Sequence, residues 1–453
     1  MNAADTPLVR VVVLSFDGGQ MTIDCLDSLL ATQWPADRLQ IVLVDNGSLD
    51  DVAQRVRADY PQVQLLEPME NLGFAGGCNL GMRLPGEHRY VALVNNDATV
   101  DPGWLRPLVE AAESAPDIGA VSAKMLFADR YLGIEVAAPG AARINRNDAR
   151  ELGVRVSAVR IDGVRSDARV SFDEDFYGPE LPNADYDEEI ARWSRARGSM
   201  RIAIVPDAPL PSVVSLRLSS PEPRVVTLTT EVEQHTVHVG KDREWIDIAL
   251  GNEPFDVINN VGSNLYRGGY GGDRGFLERD LGQYETPAEV FAWCGGAVLL
   301  KRAYLDHVGL FDEHLFLYYE DTDLSWRGRL QGWRYVYEPR SLVRHRHAAS
   351  SGVGSPTFRF YTERNRLLVL AKNAPPKLAL RAGLGEVRRF LRTMLSAYIG
   401  RPLRLQMPER HESAHRRGVC KSYLQLLPSM LRHRRAMKPT VDRAALMSWE
   451  AVK

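Results

Sequence analysis

The sequence predicts an α/β fold with a parallel sheet, an inserted antiparallel β module and a helical C-terminal region. Strand-length apolar runs alternate with helical patterns over the first 126 residues. The apolar period then changes to two between residues 201 and 250, and residues 374–453 are basic and helical in pattern. Continuously apolar strands that alternate with helices are typical of a parallel sheet covered on both faces.

The first half of the sheet follows from four apolar runs of strand length, at 9–14, 40–44, 63–66 and 90–94. Helical patterns separate them at 22–31, 50–58 and 75–83. A fourth helix is expected to begin at Asp101-Pro102, because Asp favours the N-cap and Pro the first helical position.

The pattern changes over residues 127–255, which we interpret as an insertion. Residues 128–200 are polar and rich in Arg and Asp, and are predicted to be irregular. A β-rich module is expected at about 200–255, with alternating or β-branched strands at 201–205, 212–219, 224–230, 235–239 and 244–250. The glycine-rich segment 262–275 is predicted to be a loop. Regular structure resumes with strands at 297–300 and 333–337, a helix at the acidic cluster near 320 and a helix at 358–372.

Composition narrows the class of protein. Charged residues make up 25% and hydrophobic residues 45%, as in soluble globular proteins. No signal peptide or spanning helix is recognised, and the four scattered cysteines favour reduced thiols in the cytoplasm. Residues 376–438 hold fifteen Lys or Arg and three Glu, a charge of +12, so the rest carries −14 of the net −2. That asymmetry points to an anionic surface as partner of the C-terminal region.

Two acidic clusters follow apolar runs. Asn95-Asn96-Asp97 ends a predicted strand, at the edge where open α/β sheets bind ligands. Its carboxylate is suited to a divalent cation whose other ligands are phosphate oxygens, or to capping the next helix. Glu320-Asp321-Thr322-Asp323 follows a run of aromatic residues. Its acids suit a helix start, whereas a carboxylate in apolar surroundings suits a general base.

Other motifs are weaker. Asp45 suits recognition of a pyrimidine imide or an Asx-turn, and the glycines between Asn71 and Asn79 suit a pyrophosphate or close packing. Gly295 and Gly296 suit either the close approach of a substrate or tight strand packing. His345 and His347 point to one face of a strand, where one could complete the cation site of Asp97, although a lone His is more often structural.

Together these residues resemble the inverting glycosyltransferases of family 2, which have a Rossmann-like GT-A fold. The similarity is carried by Val-Asp-Asn-Gly-Ser at 44–48, Asn-Leu-Gly-Phe-Ala-Gly-Gly at 71–77, Asn-Asn-Asp at 95–97, Cys-Gly-Gly-Ala at 294–297 and Phe-Leu-Tyr-Tyr-Glu-Asp-Thr-Asp-Leu at 316–324. The chain looks closest to bacterial rhamnosyl- and galactofuranosyltransferases that build cell-surface glycans.

The resemblance implies roles for individual residues. Asp321 would be the catalytic base, and Asp97 with His345 or His347 would bind Mn²⁺ or Mg²⁺. The remaining residues would contact the two substrates. The donor side would comprise Phe16, Asp45, Asn71, Gly76 and Asn95, and the acceptor side Gly295, Gly296 and Glu320. Asn95 replaces the Asp usual in the family, which weakens the cation site on charge grounds.

The resemblance also divides the chain by function. Residues 1–126 would bind the nucleotide-sugar, a UDP- or dTDP-sugar, and residues 256–373 the acceptor, a glycan or polyprenyl-linked glycan. We expect a cytoplasmic enzyme that is peripheral at the inner face of the cell membrane and has no nucleic-acid partner. The sequence does not specify its oligomeric state. The alternatives are a sugar-nucleotide nucleotidyltransferase and a non-catalytic glycan-binding protein.

The C-terminal region, residues 374–453, is predicted to lie on an anionic membrane. Arginines recur there among Leu, Phe, Met and Tyr, as in helices that lie in the headgroup boundary. A solvated helical tail is the alternative. The arginines are Arg388, Arg389, Arg392, Arg416, Arg417, Arg432, Arg434 and Arg435.

Overall fold

The computed structural model describes residues 6–141, 143, 148–180, 190–206, 208–346, 355–400, 407 and 410–451. The chain divides into two compact units. The first comprises residues 1–128, 258–276 and 282–453, and the second comprises residues 129–257 and 277–281.

Within the described residues the helices are α1 (Gly19–Leu30), α2 (Val52–Asp59), α3 (Gly73–Met82), α4 (Leu105–Glu113), α5 (Arg302–Val308), α6 (Glu320–Leu330), α7 (Pro356–Asn373), α8 (Pro376–Leu395) and α9 (Arg410–Ala436). The strands of the first unit are β1 (Val9–Ser15), β2 (Leu39–Asp45), β3 (Val63–Leu66), β4 (Tyr90–Asn95), β5 (Ala98–Val100), β6 (Ile118–Phe127), β17 (Ile258–Asn260), β18 (Ser263–Tyr266), β19 (Tyr270–Asp273), β20 (Ala288–Glu289), β21 (Ala297–Lys301), β22 (Arg334–His345) and β23 (Glu450–Ala451). Those of the second unit are β7 (Tyr131–Ala137), β8 (Arg155–Ile161), β9 (Val164–Arg165), β10 (Val170–Phe172), β11 (Arg192–Trp193), β12 (Arg197–Ala203), β13 (Val213–Ser219), β14 (Arg224–Thr229), β15 (Gln234–Val239) and β16 (Glu244–Ala249).

A mixed sheet forms the centre of the first unit, in the order β20-β22-β6-β21-β4-β1-β2-β3. β1 pairs in parallel with β2 and β4, and β2 pairs in parallel with β3. β21 lies antiparallel between β4 and β6, and β22 runs parallel to β6. The α/β fold class predicted from the sequence is confirmed, with the antiparallel strand β21 inside the sheet and the short strands β5, β17 and β20 also paired antiparallel.

Helices cover both faces of this sheet, because its strands carry apolar side chains on both sides. On one face, Leu26 of α1, Val52 of α2 and Leu108 of α4 join the apolar core under the strands. On the other face, Met82 of α3 and Leu324 of α6 join a second core.

The C-terminal helices form a third apolar cluster with the end of α6. Leu368 and Leu370 of α7 and Val419 and Met430 of α9 are buried in it. The helical C-terminal region is therefore confirmed, and α9 runs through Pro428. Of the described helices, none is both long enough and apolar enough to cross a membrane.

The second unit is a pair of β-sheets with a shared core. Their orders are β10-β12-β7-β14-β15 and β11-β8-β13-β16, with antiparallel pairing. Ile134, Met200, Leu216 and Val226 are among the residues buried between them. The inserted antiparallel module is thus present, and it is larger than the five predicted strands.

Three sequence expectations were wrong. Residues 128–200 are not irregular throughout, since β7, β8 and part of β12 lie there; β8 buries the four consecutive residues 156–159, so it lacks the alternation of a half-exposed strand. Residues 262–275 form the hairpin β18–β19 rather than a loop, with Gly268 and Gly269 at positive φ in its turn. The fourth helix begins at Leu105, not Asp101, because a turn closes first from Trp104 N–H to the Asp101 carbonyl.

Candidate active site

The carboxyl ends of β1, β2 and β4 meet at one edge of the central sheet. Ser15 pairs with Asp45, and Leu14 with Asn95, so the residues that follow these strands are neighbours. Gly18 lies so close to the Asn95–Asp97 turn that a Cβ there would come within 2.1 Å of Asn96 Nδ2. This edge is where open α/β sheets place their ligands.

Asp97 and His345 converge at this edge. β22 runs antiparallel to the short strand β5 and ends at His345, whose Nε2 lies 2.9 Å from Asp97 Oδ1. Asn95 Nδ2 lies 3.3 Å from the same ring nitrogen. The other ring nitrogen, Nδ1, lies 3.0 Å from Asn259 Oδ1 of β17. A carboxylate oxygen and an imidazole nitrogen therefore face each other beside an amide. His347 lies outside the described residues.

The predicted donor-side residues lie along the same edge. The Phe16 ring is 43% exposed. Asp45 is buried at the end of β2, and its Oδ1 accepts a hydrogen bond from Ser48 N–H (3.3 Å) in an Asx-type turn. Asn71 Oδ1 accepts from Gly73 N–H (2.8 Å) and from Asn46 Nδ2 (3.0 Å). These bonds fix the loop between β3 and α3.

Gly76 is buried inside α3. A Cβ at this position would come within 2.9 Å of the Leu72 Cβ, which is closer than side chains tolerate. The absence of a side chain is thus explained by the packing of the helix start. A contact of Gly76 with a donor stays a prediction.

The glycine pair before β21 links the two acidic clusters. Gly296 accepts a hydrogen bond from Asn95 N–H at its carbonyl oxygen (3.0 Å). Gly295 N–H donates to Asp321 Oδ2 (3.3 Å). Two adjacent residues therefore connect Asp321 on α6 to the end of β4, although the acidic clusters are more than 200 residues apart in sequence.

Asp321 and Glu320 occupy the first turn of α6 in different surroundings. Burial raises the pKa of Asp321, against hydrogen bonds from Gly295 and Thr322 that favour its ionised form. Burial, and then the charge of Asp321, raise the pKa of Glu320 well above its ordinary value. Glu320 is 6% exposed and its Oε2 has no hydrogen-bond partner. A carboxylate with a raised pKa that keeps hydrogen bonds to its ionised form is equipped to accept a proton.

The segment that delivers these acids has a strained backbone. Phe316, Tyr318 and Tyr319 have φ of 64°, 68° and 71°, in the left-handed region that bulky residues disfavour. Asn365 Nδ2 of α7 lies 2.6–2.8 Å from the carbonyl oxygens of residues 315, 317 and 318. In the sequence, Asn365 stands in the stretch Arg364-Asn365-Arg366, which adds to the family resemblance, but its spacing from the acidic cluster does not reveal this contact.

Asp323, two residues beyond Asp321, faces the protein interior. Its Oδ2 accepts from Arg327 Nε (2.8 Å) and Lys372 Nζ (2.9 Å), and its Oδ1 accepts from Asn373 Nδ2 (2.8 Å). Lys372 also donates to Asp312 Oδ2 (2.7 Å). This fully buried cluster ties α6 to α7.

Two further polar residues near the site were missed in the sequence. Asn259 is 3% exposed, and its Nδ2 has no hydrogen-bond partner although its Oδ1 faces His345. Asp273 of the glycine-rich hairpin accepts a hydrogen bond from Asn260 Nδ2 (2.6 Å). Burial, with the charge of nearby Asp321, raises the pKa of Asp273 to about 6. The only sequence signal for either was the glycine-rich composition around them.

Part of this site lies in a segment of the chain that matches a known protein family. Residues 10–136 match the family described as "Glycosyl transferase family 2". The matched segment belongs to that family. It contains β1 to β6 and the turn with Asp97, so the resemblance noted in the sequence is confirmed for this part of the sheet.

Curated relatives match about a quarter of the chain. The N-acetylglucosaminyl-diphospho-decaprenol L-rhamnosyltransferase of Mycobacterium tuberculosis (strain H37Rv) is 33% identical over 127 residues, which is 26% of this chain and 40% of that protein. The succinoglycan biosynthesis protein ExoO of Rhizobium meliloti is 30% identical over 110 residues, 24% of this chain and 31% of that protein. The chain thus spans less than half the length of these relatives.

Solved structures of glycosyltransferases resemble this chain, with low TM-scores and low sequence identity. GalNAc-T7 with UDP, GalNAc and Mn²⁺ has a TM-score of 0.46 and 12% identity, over 96% of this chain and 58% of that one. The Pyrobaculum calidifontis mannosyltransferase PcManGT with GDP-Man and Mn²⁺ has a TM-score of 0.40 and 13% identity, over 94% and 88%. Likenesses of this size carry no argument about substrate or metal.

Proposed function

We propose that this protein is a metal-dependent inverting glycosyltransferase that moves a sugar from a UDP- or dTDP-sugar to a hydroxyl of a lipid-linked glycan acceptor, in the synthesis of a cell-surface polysaccharide. One observation carries the proposal. The Asp97–His345 pair and Asp321 lie at one sheet edge, joined through Gly295 and Gly296. The strands β1, β2 and β4, whose ends form this edge, lie in the segment that matches family 2.

Asp321 is proposed as the general base. It would take the proton of the acceptor hydroxyl, and the oxygen would attack the anomeric carbon from the face opposite the nucleotide. The C–O bond to the diphosphate breaks as the new glycosidic bond forms, so the anomeric configuration inverts. The raised pKa of Asp321 favours proton uptake, and its hydrogen bonds to Gly295 and Thr322 hold the carboxylate in place.

The donor set at Asp97 fits Mn²⁺ or Mg²⁺ that is shared with a diphosphate. No group of three or more His, Cys, Asp or Glu within the described ranges is arranged to hold a metal. Asp97 and His345 supply one oxygen and one nitrogen, which leaves other positions for phosphate oxygens and water. If His345 donates its Nδ1–H to Asn259 Oδ1, the lone pair of its Nε2 faces Asp97, and both groups would bind the same cation. When bound, the cation would offset the charge of the leaving diphosphate.

Replacing Asp97 by Ala is expected to abolish Mn²⁺-dependent binding of the donor, raising its Kd at least about tenfold, because the cation loses its charged protein ligand. Isothermal titration with and without Mn²⁺ measures this loss. Asp101→Ala changes an exposed carboxylate four residues away and should leave the Kd as it is. An unchanged affinity of the Asp97 variant in Mn²⁺ would refute the metal role.

The donor is identified by thermal shift with UDP-, dTDP- and GDP-sugars in the presence of Mn²⁺. A ligand that binds the folded state raises its Tm by mass action, so the UDP- or dTDP-sugar should give the largest shift. Incubation of that donor with lipid-linked acceptors should then yield a product of inverted anomeric configuration, seen by NMR. Stabilisation by none of the three, or formation of a nucleotide-sugar from nucleoside triphosphate and sugar phosphate, would reject the proposal.

A place beside the membrane follows from a lipid-linked acceptor. We propose that the enzyme is cytoplasmic and peripheral, held at the inner face of the membrane by its basic C-terminal region. The positive charge of residues 376–438 supports this, because anionic lipids attract basic segments.

A further inference from the structure

α8 carries an exposed apolar stripe. Leu380, Leu384, Leu391 and Leu395 are 64%, 61%, 52% and 58% exposed. Their spacings of four, seven and four residues put them on one face of a helix with 3.6 residues per turn. Tyr398 and Ile399 continue the exposed apolar surface in the turn that follows.

The opposite face of α8 packs against α9. Glu386 is buried there and accepts from Arg416 Nη1 of α9 (3.5 Å), and a Cβ at Gly383 would come within 2.9 Å of the Tyr423 hydroxyl. The helix is therefore anchored by one side to α9, and the leucine stripe is not a core face.

Basic side chains border the stripe on one side. At 100° per residue, Lys377, Arg381, Arg388 and Arg392 fall next to the leucines, and all four are exposed. A groove of about 620 Å³ opens at the second half of α8, lined by Arg388, Arg389, Arg392, Thr393, Ser396 and Glu412. Glu412 is bound to Arg416 (2.7 Å) and Arg359 (3.1 Å), so the guanidinium groups leave the groove positively charged.

Two of the arginines that the sequence predicts to lie on the membrane are instead bound to other groups of the protein. Arg416 is buried between Glu363, Glu386 and Glu412. Arg434 donates to the carbonyl oxygens of Ala371 (3.1 Å) and Ala374 (2.8 Å) at the end of α7. Exposed basic residues remain on both α8 and α9, and those of α8 are the ones that border the leucine stripe.

We propose that α8 is a membrane-docking helix, whose leucine stripe enters the headgroup boundary of an anionic bilayer while Arg388 and Arg392 bind lipid phosphates. Leucines beside long basic side chains match the two layers of such a surface, acyl chains below and phosphates above. A second copy that docks through the same face of α8 would present the same positive groups to these arginines, whereas a phospholipid surface presents the complementary charge. The proposal rests on the proposed function only in supplying a lipid-linked acceptor at that membrane.

Vesicle flotation of the full chain tests this surface. The wild type should float with vesicles of phosphatidylcholine and phosphatidylglycerol at low salt, and much less with phosphatidylcholine alone or at high salt. Leu384→Gln/Leu391→Gln and Arg388→Gln/Arg392→Gln should each weaken binding at least about tenfold. Leu281→Gln, at a residue 76% exposed elsewhere, and Arg38→Gln/Arg106→Gln are matched controls that should bind within twofold of wild type.

Several results would contradict the membrane-docking role of α8. Equal binding to both vesicle types, binding to neither, or unchanged binding of either α8 variant would reject it. A dimer in light scattering that Leu384→Gln/Leu391→Gln converts to a monomer without vesicle binding would assign the stripe to a second copy. Donor-induced thermal shifts of the α8 variants should equal that of wild type. If the wild type floats with anionic vesicles but shows no donor-induced thermal shift, the glycosyltransferase proposal is rejected and the docking-helix proposal stands.

Discussion

Asp321→Asn is expected to lower the rate of glycosyl transfer by about 10²–10⁴-fold while leaving donor affinity nearly unchanged. The amide keeps the size of the carboxylate and an acceptor for the Thr322 N–H, but it cannot take the proton of the acceptor hydroxyl. Single-turnover rates with saturating donor, together with the donor Kd by titration, separate the two effects. A loss of donor affinity as large as the loss of rate would contradict the assignment of Asp321 as base.

The pH dependence of the same variant is a second check. A base acts in its ionised form, and burial raises the pKa of Asp321 above its ordinary 3.8. The wild-type rate should therefore fall as the pH decreases through that raised value, and the residual rate of Asp321→Asn should lack this step. Because ionising a buried carboxyl is unfavourable in the folded state, removing the charge should not lower the Tm at neutral pH.

Asp323→Ala is expected to cost about 3–5 kcal/mol of unfolding free energy, the largest stability effect predicted for this chain. Arg327 and Lys372 would lose their shared buried carboxylate, and Asn373 would lose its acceptor. Fluorescence of buried Trp326, in the same helix, reports the urea transition of this part of the fold. Asp306→Ala breaks an exposed i,i+4 pair with Arg302 and should cost about 0.5 kcal/mol or less. Equal costs for the two variants would contradict the structural role of Asp323.

The difference between Asp323→Ala and wild type should also depend on pH. Burial by itself would raise the pKa of Asp323, but the charges of Lys372 and Arg327 outweigh it and hold the pKa below 3.8. The stabilisation is therefore complete above the unfolded-state value and is lost as the pH falls through the lower folded value. Urea titrations at neutral pH and below pH 3.8 should show the gap between the two proteins shrinking.

The local features of this protein could be predicted from its sequence. Continuous apolar runs bounded by polar turns marked β1 to β4, because a strand buried on both faces leaves this pattern within a few residues. Asn95, Asp97 and Asp321 were singled out in the same way, each beside the end of an apolar segment, and His345 was singled out by its spacing from His347. The β module was found where its alternation was clean, between residues 201 and 250, and missed in β7 and in β8, which buries four consecutive residues and so shows no alternation.

Tertiary structure decided which distant residues meet. Gly295 and Gly296 bring Asp321 to the end of β4, Asn259 faces His345, and Asn365 holds the backbone that precedes α6. It also buried Arg416, which the sequence places among exposed arginines. Such contacts join residues tens to hundreds of positions apart, and hydrogen bonding and burial at those distances leave no period or spacing along the chain. The sequence by itself therefore determined the strands β1 to β4 and the chemical groups of the site, while the packing of the sheet, loop and helices determined their partners and the direction in which burial shifts their pKa values.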